Sequence, residues 1–207
     1  ATGGRADAGG ARVHLTRLSS AAGVALARAA RDEGLPLTCD VGIHHLLLTD
    51  NDIGYFNPHA RFCPPLRTQS DRLALSGAVV SGLAAICSDH TPVGADDKLL
   101  PFADAKAGAT GLEVLLPLTL KWAEAAGVAL PEALPRITAA PAEVLGLQRG
   151  QLAVGATADI CIFDPAAIWQ LTPDALKSRG KNSPWTGYLL TGKVKVTLVG
   201  GKLVFGG

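Results

Sequence analysis

The sequence has 207 residues, of which 48% are hydrophobic, 18% are charged and 5% are aromatic, and its formal net charge is +1. These values allow one large domain or two small ones with a sizeable core, and they give no electrostatic case for binding nucleic acid or an anionic membrane. The sequence has no apolar run of about 18 residues and no signal-peptide pattern, so we expect a soluble, cytoplasmic protein. It contains no Met, even at position 1, which suggests a fragment or a processed chain.

The first part of the chain alternates predicted strands and helices. Residues 1–10 are Gly-rich and predict a loose loop. Residues 12–18 alternate polar and apolar side chains, which predicts a strand, and a Ser-Ser pair then precedes a predicted helix at 21–33. A second strand is predicted at 37–43. A strand, a helix and a strand within about 30 residues form a βαβ unit, which implies a parallel sheet.

A second strand–helix repeat follows. Residues 51–67 carry three prolines and predict an extended loop. The stretch from Thr68 to Asp71 resembles a capping box, which predicts a helix that runs to about Val80. Residues 84–88 are apolar and predict a third parallel strand.

After the third strand we predict a long loop and then a helix at 111–126. Its leucines recur at helical spacing and are expected in the core; they are Leu112, Leu115, Leu116 and Leu120. Two short helices are predicted at 131–134 and 141–145.

From about residue 147 the predicted elements change from helices to short strands. Residues 150–165 predict short strands with tight turns. Residues 193–199 and 202–205 predict a hairpin, because the Gly-Gly between them suits a primed turn. We therefore predict an α/β portion at 1–146 and a small β-sandwich-type segment at 147–207.

The candidate site follows the third strand. The apolar run AAIC ends in Ser88, Asp89 and His90, and Pro92 stops the run. A buried strand delivers polar side chains to the mouth of a barrel in this way, so Asp89 is a candidate for contact with a metal and a substrate. The alternative is that Asp89 only caps a turn and that His90 is a surface histidine.

Six stretches, in order along the chain, resemble the C-terminal half of dihydroorotase, a member of the amidohydrolase superfamily. They are VHLTRLSS from Val13, VGIHHLLLTD from Val41, PPLR from Pro64, SDHTP from Ser88, GLE with LPL from Gly111, and GATADI from Gly155. The closing stretch from Asn182 through Val194 also fits. One such motif is weak by itself, but six in the same order are specific.

The resemblance implies an α/β fold: a partial TIM (β/α)8 barrel that holds the last three βα units and is followed by a small antiparallel β domain. The strands that would carry an HxH metal pair, a bridging ligand and a further His ligand would lie outside this sequence. A slice of three barrel strands leaves an open edge, so we expect it to need the missing strands for stability.

The resemblance also implies a zinc-dependent reaction. One or two zinc ions lower the pKa of a bound water, and the resulting hydroxide attacks the ring amide carbon. Asp89 matches the Asp that binds the metal, takes the proton from the water and delivers it to the leaving nitrogen. The implied substrate is dihydroorotate, a cyclic amide that is interconverted with N-carbamoyl-aspartate in pyrimidine synthesis.

Three positions depart from the family pattern. Arg17 stands where active members have a His metal ligand, and a guanidinium offers no lone pair to a metal. Cys63 replaces an Asn that contacts the substrate, and Val93 replaces a His that contacts the substrate. The loss of each buried polar partner would cost on the order of 2–4 kcal/mol, so the pattern suggests a lost or changed chemistry.

The remaining polar residues are expected to have structural or solvated roles. Adjacent His44 and His45 could be ligands, but the family pattern favours a structural role for them. We expect His14 to be buried structure, His59 to be solvated, and residues 96–98 to form a solvated loop.

Three functions compete at this point. The first is a zinc-dependent dihydroorotase with Asp89 as the general base, which could form a homodimer. The second is a catalytically impaired, dihydroorotase-like subunit that supports an aspartate transcarbamoylase partner by packing against it. The third is a related cyclic amidase, such as a hydantoinase or allantoinase, although the PPLR and HHL segments favour the dihydroorotase branch.

Overall fold

The first part of the chain forms a parallel sheet with helices against it. The computed structural model describes residues 10–206, so the loop predicted at 1–10 lies, except for its last residue, outside the described part of the chain. The elements are β1 (Val13–Leu15), α1 (Ala21–Asp32), β2 (Leu37–Gly42), α2 (Gln69–Val80) and β3 (Ala84–Cys87). The strands are parallel in the order β1-β2-β3, which confirms the predicted strand–helix repeats.

Strand β1 is shorter than the stretch predicted at 12–18. Arg17 has a φ of 58°, which lies in the left-handed region and is incompatible with an extended strand. The chain therefore leaves the sheet before Arg17 and turns towards α1.

The two long helices of this part begin at side-chain caps. Ser20 Oγ accepts a hydrogen bond from the N–H of Gly23 at 3.1 Å, as the Ser-Ser pair predicted. Thr68 caps α2 in the same way, through the N–H of Asp71. Asp71 Oδ1 also accepts from the N–H of Ala21 at 2.8 Å, so the first turns of α1 and α2 are joined.

The two faces of the parallel sheet differ in polarity. The register aligns Cys39 with Leu15 on one side and with Ala84 on the other, so apolar side chains share one face. This face packs against buried residues of α1 and α2, including Val24 and Leu75. Because side chains alternate along a strand, the opposite face carries Thr38, Asp40 and Gly42 of β2.

Helix α3 (Leu115–Ala126) begins four residues later than predicted. Leu112, expected in the core, is 59% exposed. His90 Nδ1 accepts hydrogen bonds from the N–H groups of Gly111 and Leu112 at 3.1 and 3.3 Å, so the turn that precedes α3 is tied to the end of β3. The short helices α4 (Leu130–Ala133) and α5 (Ala139–Val144) follow α3.

The last part of the chain forms an antiparallel sheet of three strands. They are β4 (Ile160–Gln170), β5 (Leu189–Val199) and β6 (Lys202–Phe205). Gly200 and Gly201 both have positive φ, at 55° and 79°, so the predicted primed turn between β5 and β6 is confirmed. The short strands expected between residues 150 and 159 do not form, and the β-sandwich-type assignment of residues 147–207 stays a prediction.

One hydrophobic core joins the two parts. It contains residues of the parallel sheet and its helices together with Leu171, Trp185 and Leu190 from the second part. The division at residues 146 and 147 stays a prediction. Within residues 10–206, no helix is long and apolar enough to cross a membrane.

Six short 3-10 helices complete the described elements. They are Ile43–Leu46, Asp50–Ile53, Pro58–Ala60, Asp96–Lys98, Leu134–Ile137 and Pro173–Ala175. The first three lie between β2 and α2, and the second and third of them fall, except for Asp50, in the segment at 51–67 that was expected to be an extended loop.

Candidate active site

The candidate site lies where the carboxyl ends of the three parallel strands meet. Arg17 follows β1, Gly42 ends β2 and Asp89 follows β3. Ligands of parallel α/β sheets bind outside this end of the strands. The structure therefore brings Arg17 and Asp89 to one edge of the sheet.

Arg17 and Asp89 form an ion pair, which we call the Arg17–Asp89 pair. Arg17 Nη1 lies 3.4 Å from Asp89 Oδ1, and the two side chains are 40% and 6% exposed. The same Nη1 donates to the backbone carbonyl of Cys63 at 2.9 Å. One guanidinium nitrogen thus connects the end of β1, the residue after β3 and the loop that precedes α2.

Asp40 holds the backbone of Arg17 in its left-handed conformation. Its Oδ1 accepts from the N–H of Arg17 at 2.7 Å, and its carbonyl accepts from the N–H of Leu18 at 2.9 Å. Thr16 Oγ1 and His14 Nε2 bond the other carboxylate oxygen, at 3.1 and 2.8 Å. The expectation that His14 is buried structure is wrong, because its side chain is 30% exposed beside this carboxylate.

His45 lies against the same strand end. Its Nε2 donates to the carbonyl of Pro64 at 3.0 Å, so Nδ1 carries the lone pair. Burial lowers the pKa of His45, which keeps the ring neutral. Nδ1 is buried and has no hydrogen-bond partner among residues 10–206. A Cβ on Gly42 would lie 3.3 Å from this atom and 3.4 Å from Asp89 Oδ2.

The residues present do not fit the zinc ion that the family resemblance implies. Within the described residues, no three His, Cys, Asp or Glu side chains come together as a metal site. Asp89 and His45 supply two donor groups, but the guanidinium of Arg17 lies 3.4 Å from Oδ1 of the same carboxylate. A fixed cation repels a second cation at this distance.

His44 has a structural role. Its Nδ1 accepts a hydrogen bond from Trp185 Nε1 at 3.0 Å, and its ring packs 5.0 Å from that of Phe62. Burial, with a smaller contribution from the neighbouring His45, lowers the pKa of His44 to about 3. This agrees with the structural role expected for His44.

The buried thiols beside the sheet are held in the protonated form. Burial and the Asp40 carboxylate raise the pKa of Cys87, and burial raises the pKa of Cys39 to about 11. A protonated thiol is a poor nucleophile and a poor metal ligand.

The structure separates the other predicted site residues. Cys63 is exposed and its carbonyl contacts Arg17, whereas Val93 is buried and its N–H donates to Asn182 Oδ1 at 2.8 Å. The roles assigned to Asp89, Arg17, Cys63 and Val93 by resemblance stay predictions.

Two expectations about surface residues are wrong. Lys98 is buried, and its Nζ donates to the carbonyl of Pro58 at 2.9 Å, because the loop at 96–98 folds back onto the 3-10 helix at Pro58–Ala60. Burial and the charge of Arg61 lower the pKa of Lys98 to about 8. His59 is half-buried rather than solvated, because it lies in that same segment.

Sequence reasoning missed Asp40 and Gly42 as parts of this site, and it favoured a structural role for His45 over a ligand role. One signal was present, since a carboxylate inside an otherwise apolar, buried parallel strand needs a partner. Nothing in the sequence marked Gly42, whose contribution is the space left by its missing side chain.

Comparisons with known proteins agree with the arrangement of these elements. The model of the amidohydrolase family matches residues 10–205. The dihydroorotase-like protein of Pseudomonas aeruginosa is 43% identical over 199 residues, and the dihydroorotase of Trichlorobacter lovleyi is 38% identical over 199 residues. Each match covers 96% of this chain and 47% of the relative, so the chain spans about half the length of the curated relatives it matches.

Solved structures share the fold. The L-hydantoinase of Arthrobacter aurescens matches with a TM-score of 0.87 and 29% identity, over 95% of this chain and 45% of that chain. The D-hydantoinase of a Thermus species matches with a TM-score of 0.86 and 24% identity over the same shares, and shows the fold alone. Because the family model matches nearly the whole chain, the chain belongs to the amidohydrolase family.

Proposed function

We propose that this chain is the C-terminal half of a dihydroorotase-like subunit that does not hydrolyse cyclic amides and instead supports an aspartate transcarbamoylase by packing against it. The observation that carries the proposal is the Arg17–Asp89 pair. A guanidinium cannot bind a metal, and it neutralises the carboxylate that the reaction would need as a base.

The hydrogen bonds of Arg17 support a fixed position for this residue at the strand ends. Asp40 and Cys63 both bond Arg17, one at its backbone and one at its side chain. A side chain held at both ends keeps its position in the absence of a ligand. Two relatives named dihydroorotase-like proteins, from Pseudomonas aeruginosa and Pseudomonas putida, match at 43% and 39% identity, which is consistent with the proposal.

The test uses the complete gene product, purified alone and together with the aspartate transcarbamoylase of the same organism. We expect no opening of dihydroorotate with or without added zinc, and co-elution of the two proteins in size-exclusion chromatography. Turnover with added zinc would contradict the loss of hydrolysis. Separate elution at micromolar concentrations would contradict the supporting role.

A second candidate is a zinc-dependent dihydroorotase of pyrimidine synthesis, working in the cytoplasm as a homodimer. The buried carboxylate of Asp89, directed to the carboxyl ends of the strands, favours it. In that case a preceding half of the subunit would have to supply the ligands that residues 10–206 lack, and Arg17 would have to swing away. The matched measurement is Arg17→Ala in the complete protein, because an active enzyme would change its turnover and an inactive one would not.

A further inference from the structure

The buried carboxylate of Asp89 needs a counter-charge. Its side chain is 6% exposed, and an ionised carboxylate at that depth is costly unless a cation lies beside it. In a metal-dependent relative a bound ion can meet this need. In this chain Arg17 meets it, at 3.4 Å.

The approach of Arg17 to Asp89 is built into the strand between them. The two residues follow β1 and β3, so the contact has to cross the end of β2. The last residue of β2 is Gly42, and a Cβ there would lie 3.3 Å from Asp89 Cβ and 3.4 Å from its Oδ2. The missing side chain leaves Asp89 room to lie over β2, within reach of Arg17.

The backbone conformation of Arg17 is also fixed beside the Arg17–Asp89 pair. A φ of 58° is unfavourable for a residue with a Cβ, and the hydrogen bond from its N–H to Asp40 Oδ1 compensates for it. Because Nη1 donates to the Cys63 carbonyl as well, a single cation holds two strand ends and a loop. A bound metal ion connects separate segments in the same way.

We propose that Arg17 is a built-in replacement for a bound cation, which makes this corner of the fold stable without metal. This inference rests on the proposed function, because both require the Arg17–Asp89 pair to be formed in the functional protein. Two different measurements separate them, because hydrolysis and co-elution test the function, whereas metal content and thermal stability test the replacement.

The experiment compares Arg17→Lys with Arg17→Met in the complete gene product. Lys keeps the positive charge, whereas Met has a similar length and no charge. We expect the wild-type protein to contain no stoichiometric zinc and its Tm to be unchanged by EDTA or by zinc chloride. We expect Arg17→Met to lower Tm by about 5 °C and Arg17→Lys to retain most of the wild-type value.

A double-mutant cycle supplies the control. Asp89→Asn removes the buried charge, so adding it to Arg17→Met should recover most of the lost Tm. The control pair is Lys106 and Asp97, whose charged atoms lie 3.1 Å apart and whose side chains are 68% and 33% exposed. A double-mutant cycle on this exposed pair should show almost no coupling in Tm. Zinc near one ion per chain, a Tm that falls with EDTA, or losses that simply add in the Arg17 and Asp89 cycle would overturn the proposal.

Discussion

Trp185 donates a hydrogen bond from Nε1 to Nδ1 of His44 at 3.0 Å, inside the core that joins the two parts of the chain. Trp185 comes from the connection between β4 and β5, and His44 directly follows β2. The bond fixes the tautomer of His44, because an accepting Nδ1 leaves the proton on Nε2. The second part of the chain therefore sets the chemical state of a residue next to the candidate site.

Replacing Trp185 by Phe should lower the free energy of unfolding by about 2–4 kcal/mol. The change removes the donor, leaves Nδ1 of His44 buried without a partner, and opens a cavity. Urea unfolding of the complete protein measures it. Trp169→Phe is the matched control, because Trp169 is half-buried and donates to the Gly192 carbonyl at 2.9 Å, where water can replace it. Equal losses in the two variants would contradict the role of the buried bond.

The neutral state of His44 predicts a loss of stability in acid. Burial lowers its pKa in the folded protein from 6.5 to about 3, so the unfolded chain takes up a proton first. The stabilising contribution is complete above pH 6.5 and declines as the pH falls towards 3, by up to about 1.4 kcal/mol per pH unit.

The measurement is urea unfolding at intervals between pH 7 and pH 4, for the wild type and for His44→Asn. An Asn side chain can still accept from Trp185 but does not titrate, so the slope of stability against pH should be smaller in the variant. Parallel slopes would show that His44 is not the responsible group.

Local patterns predicted much of the fold. The presence of a strand at β1, the Ser20 cap and the Gly200-Gly201 turn depend on residues close together in sequence, and the structure confirms them, although β1 is shorter than predicted. Leu112 shows the limit of this reasoning. Its spacing predicted a core position in a helix, but Leu112 lies before α3 and is 59% exposed, and its N–H donates to His90, more than 20 residues earlier in the chain.

The candidate site was predictable in one respect only. The family resemblance assigned Arg17 and Asp89 to positions around one metal site, and parallel strands place their carboxyl ends at one edge, so the two residues were expected near each other. Two hydrogen bonds of Arg17 depend on how the loops fold over that edge: the bond from its side chain to the Cys63 carbonyl and the bond from its N–H to Asp40 Oδ1. Those contacts join residues with no regular spacing in the sequence, which is why no pattern indicated them.

Glu113 should stabilise the connection that follows β4. Its Oε1 accepts from the N–H groups of Lys177 and Ser178 at 2.9 and 2.7 Å, and its Oε2 accepts from Ser178 Oγ at 2.9 Å. Burial alone would raise the pKa of Glu113, but the bonds from Ser178 and Lys177 outweigh it and lower the pKa. The stabilisation is thus present above the ordinary pKa of 4.5 and is lost as the pH falls below it.

Two variants of Glu113 separate its shape from its charge. Glu113→Ala should cost about 2–3 kcal/mol, because two backbone N–H groups lose their acceptor. Glu113→Gln keeps an accepting oxygen and should cost about 1 kcal/mol. Chemical unfolding at pH 7 and pH 4 measures both, and the difference between wild type and the Gln variant should shrink at the lower pH. A constant difference would mean that the charge plays no part.

Gly111 should be indispensable for the position of Asp89. A Cβ on Gly111 would overlap the carbonyl oxygen of Ser88, the residue directly before Asp89, and would lie 3.4 Å from His44 Nε2. Backbone cannot move aside as a flexible side chain does, so Gly111→Ala should cost about 3 kcal/mol or more and should displace the Arg17–Asp89 pair. Gly77→Ala, in the interior of α2 with nothing within 4 Å of the new Cβ, is the matched control and should be neutral or stabilising. Thermal unfolding of both variants measures the contrast, and a Gly111→Ala protein as stable as Gly77→Ala would contradict the packing of Gly111 against the strand end.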